Sequence, residues 1–343
     1  MTTTPTKMAM EIEEIPDALR RLLGGSRARI EAAADELRRA DPQVITTVAR
    51  GSSDHAATYL KYAIELLAGV PVASIGPSIA SIYQARLKLQ NAATIAISQS
   101  GKSPDIVQMA KSARQSGAVS IAMTNTPQSP LADVSAHAID IAAGPELSVA
   151  ATKTFVSSIT AGLLLLAHWQ KNDALLEALE RLPGQAQQAI SCDWSALSDR
   201  LCNESSLFIL GRGPALAIAS EVALKFKETC QIHAEAYSAA EVMHGPVSIV
   251  GSGFPLLGLA ARDAAELPVV DVCEALAGQG ASVFLPSRHA RRAVSLPSIA
   301  TGHPLTDPML LIVSFYAFIE NLARRRGLDP DVPPNLRKVT ETI

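Results

Sequence analysis

Ala92-Ala93-Thr94-Ile95-Ala96-Ile97-Ser98-Gln99-Ser100-Gly101-Lys102-Ser103-Pro104-Asp105-Ile106-Val107 is the stretch on which the fold turns. The run up to Ile97 predicts a buried strand. Pro104-Asp105-Ile106-Val107-Gln108-Met109-Ala110 predicts the opening turns of a helix. Between them lie three serines, a glutamine amide and a glycine. Backbone N–H groups at a helix start attract anions, and glycine lets backbone approach one closely. Serine is also an ordinary helix cap, which accounts for one hydroxyl but less readily for three. The run therefore points to a phosphate that is held and later released. Gly101-Lys102-Ser103 is not the end of a nucleotide-binding P-loop, because that motif needs a glycine at the place of Ala96.

The same alternation recurs outward. Val44-Ile45-Thr46-Thr47-Val48-Ala49 predicts a strand, Arg50-Gly51-Ser52-Ser53 its turn, and a helix follows from about Asp54. Further strands are expected at Val70–Ser74, Val119–Thr124 and Ala138–Ile141. Ser206–Leu210, the turn Gly211-Arg212-Gly213-Pro214 and a helix to about Gln231 start a second copy, continued by strands at Phe254–Leu259 and Ala281–Leu285. Repeated strand–helix units imply an α/β fold with parallel sheets between helices, here two tandem subdomains forming three-layer sandwiches. Expected boundaries are an N-terminal helical segment at 1–40, a first subdomain at 41–170, a helical linker at 171–200, a second subdomain at 201–326 and a tail at 327–343. Ligands of such sheets sit beyond the carboxyl ends of the strands, where Ser52, Ser53, Ser98, Ser100 and Thr124 would lie. The second copy has Ala260-Ala261-Arg262-Asp263 where the first has its serines.

Composition narrows the function. The 343 residues are 48% hydrophobic, 18% charged and 4% aromatic, with net charge −3. No basic footprint for nucleic acid is expected, and Arg324-Arg325-Arg326 is read as a helix end. Cys192, Cys202, Cys230 and Cys273 have no CxxC pairing, which argues against zinc and against a disulfide scaffold and fits reduced thiols in the cytoplasm. The N-terminus lacks a signal-peptide pattern, and the apolar run at Ile159–Trp169 is shorter than the ~20 residues that cross a bilayer. No membrane partner, metal or cofactor is expected.

Residues 221–246 carry a second dense cluster: Glu221, Lys225, Lys227, Glu228, His233, Glu235, Glu241 and His244. Glu221, Lys225 and Glu228 share one helical face by spacing. A solvated, ion-paired helix is the plain account, which the two histidines weaken. Glu146-Leu147-Ser148-Val149-Ala150-Ala151-Thr152-Lys153 reads as a loop entering a helix, and Asn335-Leu336-Arg337-Lys338 lies in the basic tail.

Together Ser98-Gln99-Ser100-Gly101, Val149-Ala150-Ala151-Thr152-Lys153, Ala223-Leu224-Lys225-Phe226-Lys227-Glu228, His233-Ala234-Glu235-Ala236-Tyr237, His244-Gly245-Pro246 and Asn335-Leu336-Arg337-Lys338 resemble the sugar isomerase (SIS) family. The resemblance is to the isomerase portion of glutamine–fructose-6-phosphate aminotransferase and to SIS-type glucosamine-6-phosphate deaminases. It runs from about Val44 to Ile343. It implies phosphate binding by Ser53, Ser98, Gln99, Ser100 and Ser103, and sugar contacts from Ser52, Val149 and Ala150. It also implies C1–C2 proton transfer by Glu228, with Lys225 helping to set that carboxylate's protonation. His244 from a second subunit would open the ring, making a homodimer with a shared active site. Lys338 would contact the carbonyl carbon, with an imine as one form of that contact. A carboxylate base, a histidine titrating near neutrality and a lysine able to form a Schiff base suit aldose–ketose chemistry.

The departures are Lys102, where the synthase has an acidic residue, and Arg50 with Ser52, of which Arg50 could add a phosphate contact. No glutaminase domain is recognised and residue 2 is Thr2, so no ammonia from glutamine is expected. The resulting expectation is hydrolysis of glucosamine 6-phosphate to fructose 6-phosphate and ammonia. The alternatives are a galactosamine 6-phosphate enzyme, a deglycase for a phosphorylated sugar–amino acid adduct, or a sugar-phosphate sensor without turnover.

Overall fold

The computed structural model describes residues 5–338. Three helices open the chain: α1 (Lys7–Glu13), α2 (Ile15–Gly25) and α3 (Arg27–Ala40). The first α/β run comprises β1 (Val44–Val48), α4 (Ser52–Leu67), β2 (Val72–Ser74), the short α5 (Ser78–Ser81), β3 (Ala92–Ile97), α6 (Pro104–Gln115), β4 (Val119–Thr124), α7 (Pro130–Val134) and β5 (His137–Asp140). Then come α8 (Lys153–Gln170), α9 (Asp173–Ile190) and α10 (Ser195–Leu201). The second run is β6 (Ser206–Gly211), α11 (Pro214–Cys230), β7 (His233–Ser238), two 3₁₀ turns (Glu241–His244 and Pro246–Ile249), β8 (Pro255–Gly258), α12 (Glu266–Gly278), β9 (Ser282–Leu285), β10 (Val294–Ser295) and α13 (Asp307–Arg325).

The chain forms two compact units that do not follow chain order. Among the described residues, one gathers 5–16, 147–152 and 181–336, the other 17–146, 153–180 and 337–338. Each holds one five-stranded sheet, ordered β2-β1-β3-β4-β5 in one and β10-β9-β8-β6-β7 in the other. Every strand pair is parallel. Read from the first strand of each run, the two orders are the same, so the repeat inferred from the turns extends to the whole sheet. Its hinge points match too. Gly51 before α4 has φ +56 and ψ −134, and Gly213 before α11 has φ +59 and ψ −138. That region is open to glycine and costly for other residues.

The strands are apolar because helices cover both faces, so no polar alternation is needed. β3 is buried at every position. The apolar helix read at Ile159–Trp169 is α8, nearly all buried and packed on α3 and α4 in the same unit. Among the described residues no helix is long and apolar enough to cross a membrane. In the other unit α11 lies on α13, with Phe226 edge-on to Phe315 at 5.2 Å between ring centres. The arginine run ends α13 as expected and does more. Arg324 pairs with Glu320 at 2.8 Å, and the Arg326 guanidinium donates to the carbonyls of Cys230, Leu201, Cys202 and Glu204.

Two strands escaped the sequence reading. β7, His-Ala-Glu-Ala-Tyr-Ser, is a partly exposed edge strand and therefore polar. β10 has only two residues.

Candidate active site

The serine loop leaves β3 at the carboxyl edge of its sheet. Ser98 donates its N–H to Met123 O at 3.1 Å, and its hydroxyl accepts from the N–H of Gly101 at 3.2 Å. Gln99 O accepts from Asn125 N at 3.1 Å and from the Thr124 hydroxyl at 3.3 Å. Gly101 has φ +62, and a Cβ there would stand 2.2 Å from Ser129 Oγ and 3.0 Å from Thr124 Oγ1. The loop is thus laid tightly on the turn after β4, and only glycine fits its bend.

Several groups remain available on this edge. Ser103 is the residue before α6, with extended backbone, yet its side chain makes no capping bond. The cap reading therefore does not account for its hydroxyl. The side chains of Ser53, in the first turn of α4, and of Gln99 have no hydrogen-bond partner among the described residues. Ser100 Oγ accepts from Lys102 N at 3.3 Å, and Lys102 itself is exposed. Ser52 begins α4 beside Ser53. Burial pushes the Asp54 carboxyl in that same turn above its usual range, with His55 pulling the other way.

Arg50 differs from its expectation. Its Nε donates to Asp105 Oδ2 at 2.6 Å and its Nη2 pairs with the same oxygen. The Asp105 side chain is fully buried, so this arginine neutralises an interior carboxylate in the first turn of α6. The Asp105 pair is the contact that the structure shows for Arg50, whose side chain is half exposed.

The second cluster lies in the other unit. Lys225 Nζ is 2.5 Å from Glu228 Oε2 and 3.2 Å from Glu221 Oε1. Lys225 and Glu221 are fully buried, whereas the Glu228 side chain is 18% exposed. The Tyr316 hydroxyl of α13 donates to Glu221 Oε1 at 3.4 Å. Burial opposes the charge on Lys225, but Glu221 and then Glu228 outweigh it and hold the ammonium above the ordinary lysine range. Lys225 is therefore a fixed cation that presents Glu228 at the surface of its unit.

α11 ends at Gln231, whose φ of +54 turns the chain into β7. His233 is 70% exposed and lies 3.9 Å from Glu235, which accepts from the Tyr237 hydroxyl at 2.6 Å. His244 ends the first 3₁₀ turn, exposed between the exposed Met243 and Gly245. No hydrogen bond or ion pair among the described residues joins His244 to Glu228 or Lys225. Val149 and Ala150 belong to the Leu147–Thr152 segment of this unit. Ala150 is buried. The segment is pinned by Glu11 of α1, which accepts from the N–H groups of Leu147 and Ser148 and from the Ser148 hydroxyl.

Lys338 is placed with the serine-loop unit, where its Nζ lies 2.8 Å from Glu146 Oε2. Glu146 also accepts from Thr154 N at 3.1 Å and from the Thr154 hydroxyl at 2.7 Å.

The sequence reading missed Glu11, Asp105 and Tyr316 as supports. It named Glu221 only as a helical neighbour of Lys225. Burial pushes the thiols of Cys230 and Cys273 up to about 12 each, Glu274 adding to the shift at Cys273 and Thr229 and Arg326 opposing it at Cys230, so neither is a nucleophile at neutral pH. Among the described residues no group of His, Cys, Asp or Glu side chains is arranged to hold a metal.

The family model of the SIS domain matches residues 37–168 and 200–283, one span on each sheet. The chain belongs to the SIS domain family. A glutamine–fructose-6-phosphate aminotransferase (isomerizing) from Symbiobacterium thermophilum is 34% identical over 96% of this SIS chain and 58% of that protein. The chain thus spans a little over half the length of this curated relative. A solved candidate phosphosugar isomerase from Silicibacter pomeroyi is 56% identical, with TM-score 0.93 over 95% of this chain and 100% of that one. The C-terminal domain of a glucosamine–fructose-6-phosphate aminotransferase from Francisella tularensis is 26% identical, with TM-score 0.87 over 96% of this chain and 99% of that one.

Proposed function

We propose that this SIS protein is a phosphosugar isomerase that acts on hexosamine 6-phosphates and releases ammonia, converting glucosamine 6-phosphate and water to fructose 6-phosphate. The observation that carries the reading is the Lys225–Glu228 pair: a buried cation holding an accessible carboxylate. A base for aldose–ketose chemistry must take a proton from one carbon and return it to the next, which a carboxylate open to the ligand can do.

In this reading Ser53, Ser98, Gln99, Ser100 and Ser103 hold the phosphate, helped by the N–H groups opening α6. Ser52, Val149 and Ala150 contact the sugar. His244, supplied by a second copy of the chain, opens the ring. Its exposure beside Met243 and Ile249 suits a segment that meets a partner. Glu228 takes the proton from C2 and delivers it to C1 while one hydrogen of the amine passes to O1, leaving an imine at C2. Water adds to that imine and ammonia leaves. Lys338 acts at the same carbon. The aminotransferases among the relatives are named for the same carbon skeleton and the same amino group.

A second reading is favoured by the Silicibacter pomeroyi relative: plain ketose–aldose isomerisation of a phosphosugar. Incubation with glucosamine 6-phosphate separates the two. Equal release of ammonia and fructose 6-phosphate supports the deaminase. No ammonia, with interconversion of a neutral aldose and ketose phosphate, supports the plain isomerase.

A further inference from the structure

Glu146 is a carboxylate with no exposed side-chain surface, held among hydrogen-bond donors. Thr154 offers both its N–H and its hydroxyl from the second residue of α8, where the helix dipole favours an anion. The Lys338 ammonium lies at 2.8 Å from the same carboxylate. Lys338 is 192 residues away along the chain, so the pairing is a feature of the fold and not of local sequence.

We infer that Glu146 is the positioning residue and proton acceptor for Lys338, so that the amine is seated charged and is released neutral where it is used. The inference rests on the reading that places Lys338 at the sugar carbonyl carbon. A lysine at its ordinary pKa is almost wholly protonated at neutral pH and a poor nucleophile. The Glu146 carboxylate lies in contact with this amine. It also supplies the nearest acceptor when the proton must leave. The step balances without any outside reagent. The ammonium proton passes to Glu146 Oε2, and the free amine adds to C2 of the open-chain ketose. The new alkoxide takes up that proton. The carbinolamine nitrogen loses its hydrogen to Glu146, which hands it to the departing hydroxyl, and water leaves as the imine forms. Hydrolysis reverses the sequence and returns the ammonium to its carboxylate.

The test uses the full chain with fructose 6-phosphate as the probe and borohydride as the trap. The rate of reduced adduct on Lys338 is followed by peptide mass between about pH 6 and pH 10. Wild type is expected to trap at a nearly constant rate across neutrality. In Glu146→Gln the amine must lose its proton to solvent. Its trapping rate should fall at least about tenfold at neutral pH and climb steadily as the pH rises. Glu146→Asp should recover part of the flat profile. Thermal unfolding and fructose 6-phosphate binding, measured on each variant, separate a misfolded chain from one with a misplaced proton. An unchanged rate and profile in a folded Glu146→Gln protein overturns the inference. So does a wild-type protein that releases ammonia from glucosamine 6-phosphate but gives no adduct, and then the proposed function stands without it. Failure to bind any sugar phosphate overturns the function itself.

Discussion

Lys225 and Glu228, three residues apart on α11, meet at 2.5 Å, with the lysine wholly buried and the glutamate open to solvent. The asymmetry arises from packing. Phe226 and Tyr316 bring α13 onto α11, which closes over Lys225 and Glu221 and leaves the Glu228 side chain partly exposed. A lysine in this position is not a base. It fixes the direction of the Glu228 carboxylate, the group the proposed mechanism uses as its base.

Lys225→Met is expected to destabilise the protein by about 3–5 kcal/mol, because it leaves Glu221 charged and buried without its cation. Thermal unfolding of the variant measures this. The pH dependence has a definite sign. A lysine whose pKa rises on folding adds stability that is fully present below its unfolded value of about 10.4 and is lost as pH climbs through the higher folded value. The margin of wild type over Lys225→Met should therefore be constant from neutral pH to about pH 10 and shrink above it.

Gly101→Ala should cost more than Gly51→Ala, though both glycines have positive φ. Each substitution brings backbone strain of about 1–3 kcal/mol. At Gly51 nothing lies within 4 Å of the added methyl, whereas at Gly101 it strikes Ser129 and Thr124. Moving Thr124 also disturbs its bond to Gln99 O. Gly101→Ala should therefore lose sugar-phosphate affinity as well as stability, as calorimetric titration and thermal unfolding would record.

Arg50→Ala should act on stability and leave sugar-phosphate affinity unchanged. The loss comes from Asp105, left buried without its guanidinium, and is about 1–3 kcal/mol because Arg50 itself is half exposed. Arg50→Lys should recover only part of it, since an ammonium cannot place two donors on one carboxylate oxygen as Nε and Nη2 do. A large drop in affinity with unchanged stability would return Arg50 to the phosphate.

What the sequence made legible was local. The serine loop announces itself in six consecutive residues, and Lys225 and Glu228 are neighbours by helical spacing. The supports were not legible, because each joins segments far apart in the chain. Arg50 and Asp105 are 55 residues apart, Tyr316 and Glu221 95, and Glu11 and Leu147 136. No periodicity carries such pairings; only the folded sheet order brings them together. The strand β7 was hidden for another reason. As an edge strand it keeps His233, Glu235 and Tyr237, which read as site chemistry and not as a strand.

Solvent deuterium uptake tests the central claim, that Glu228 carries the proton between C1 and C2. The protein is incubated with fructose 6-phosphate in deuterated buffer, and the C1 protons are followed by nuclear magnetic resonance. Wild type is predicted to introduce deuterium at C1, and Glu228→Gln to lose this by about 10²–10⁴-fold while binding the sugar phosphate as before. Equal uptake in the two proteins, or none in a wild type that binds the ligand, would contradict the account.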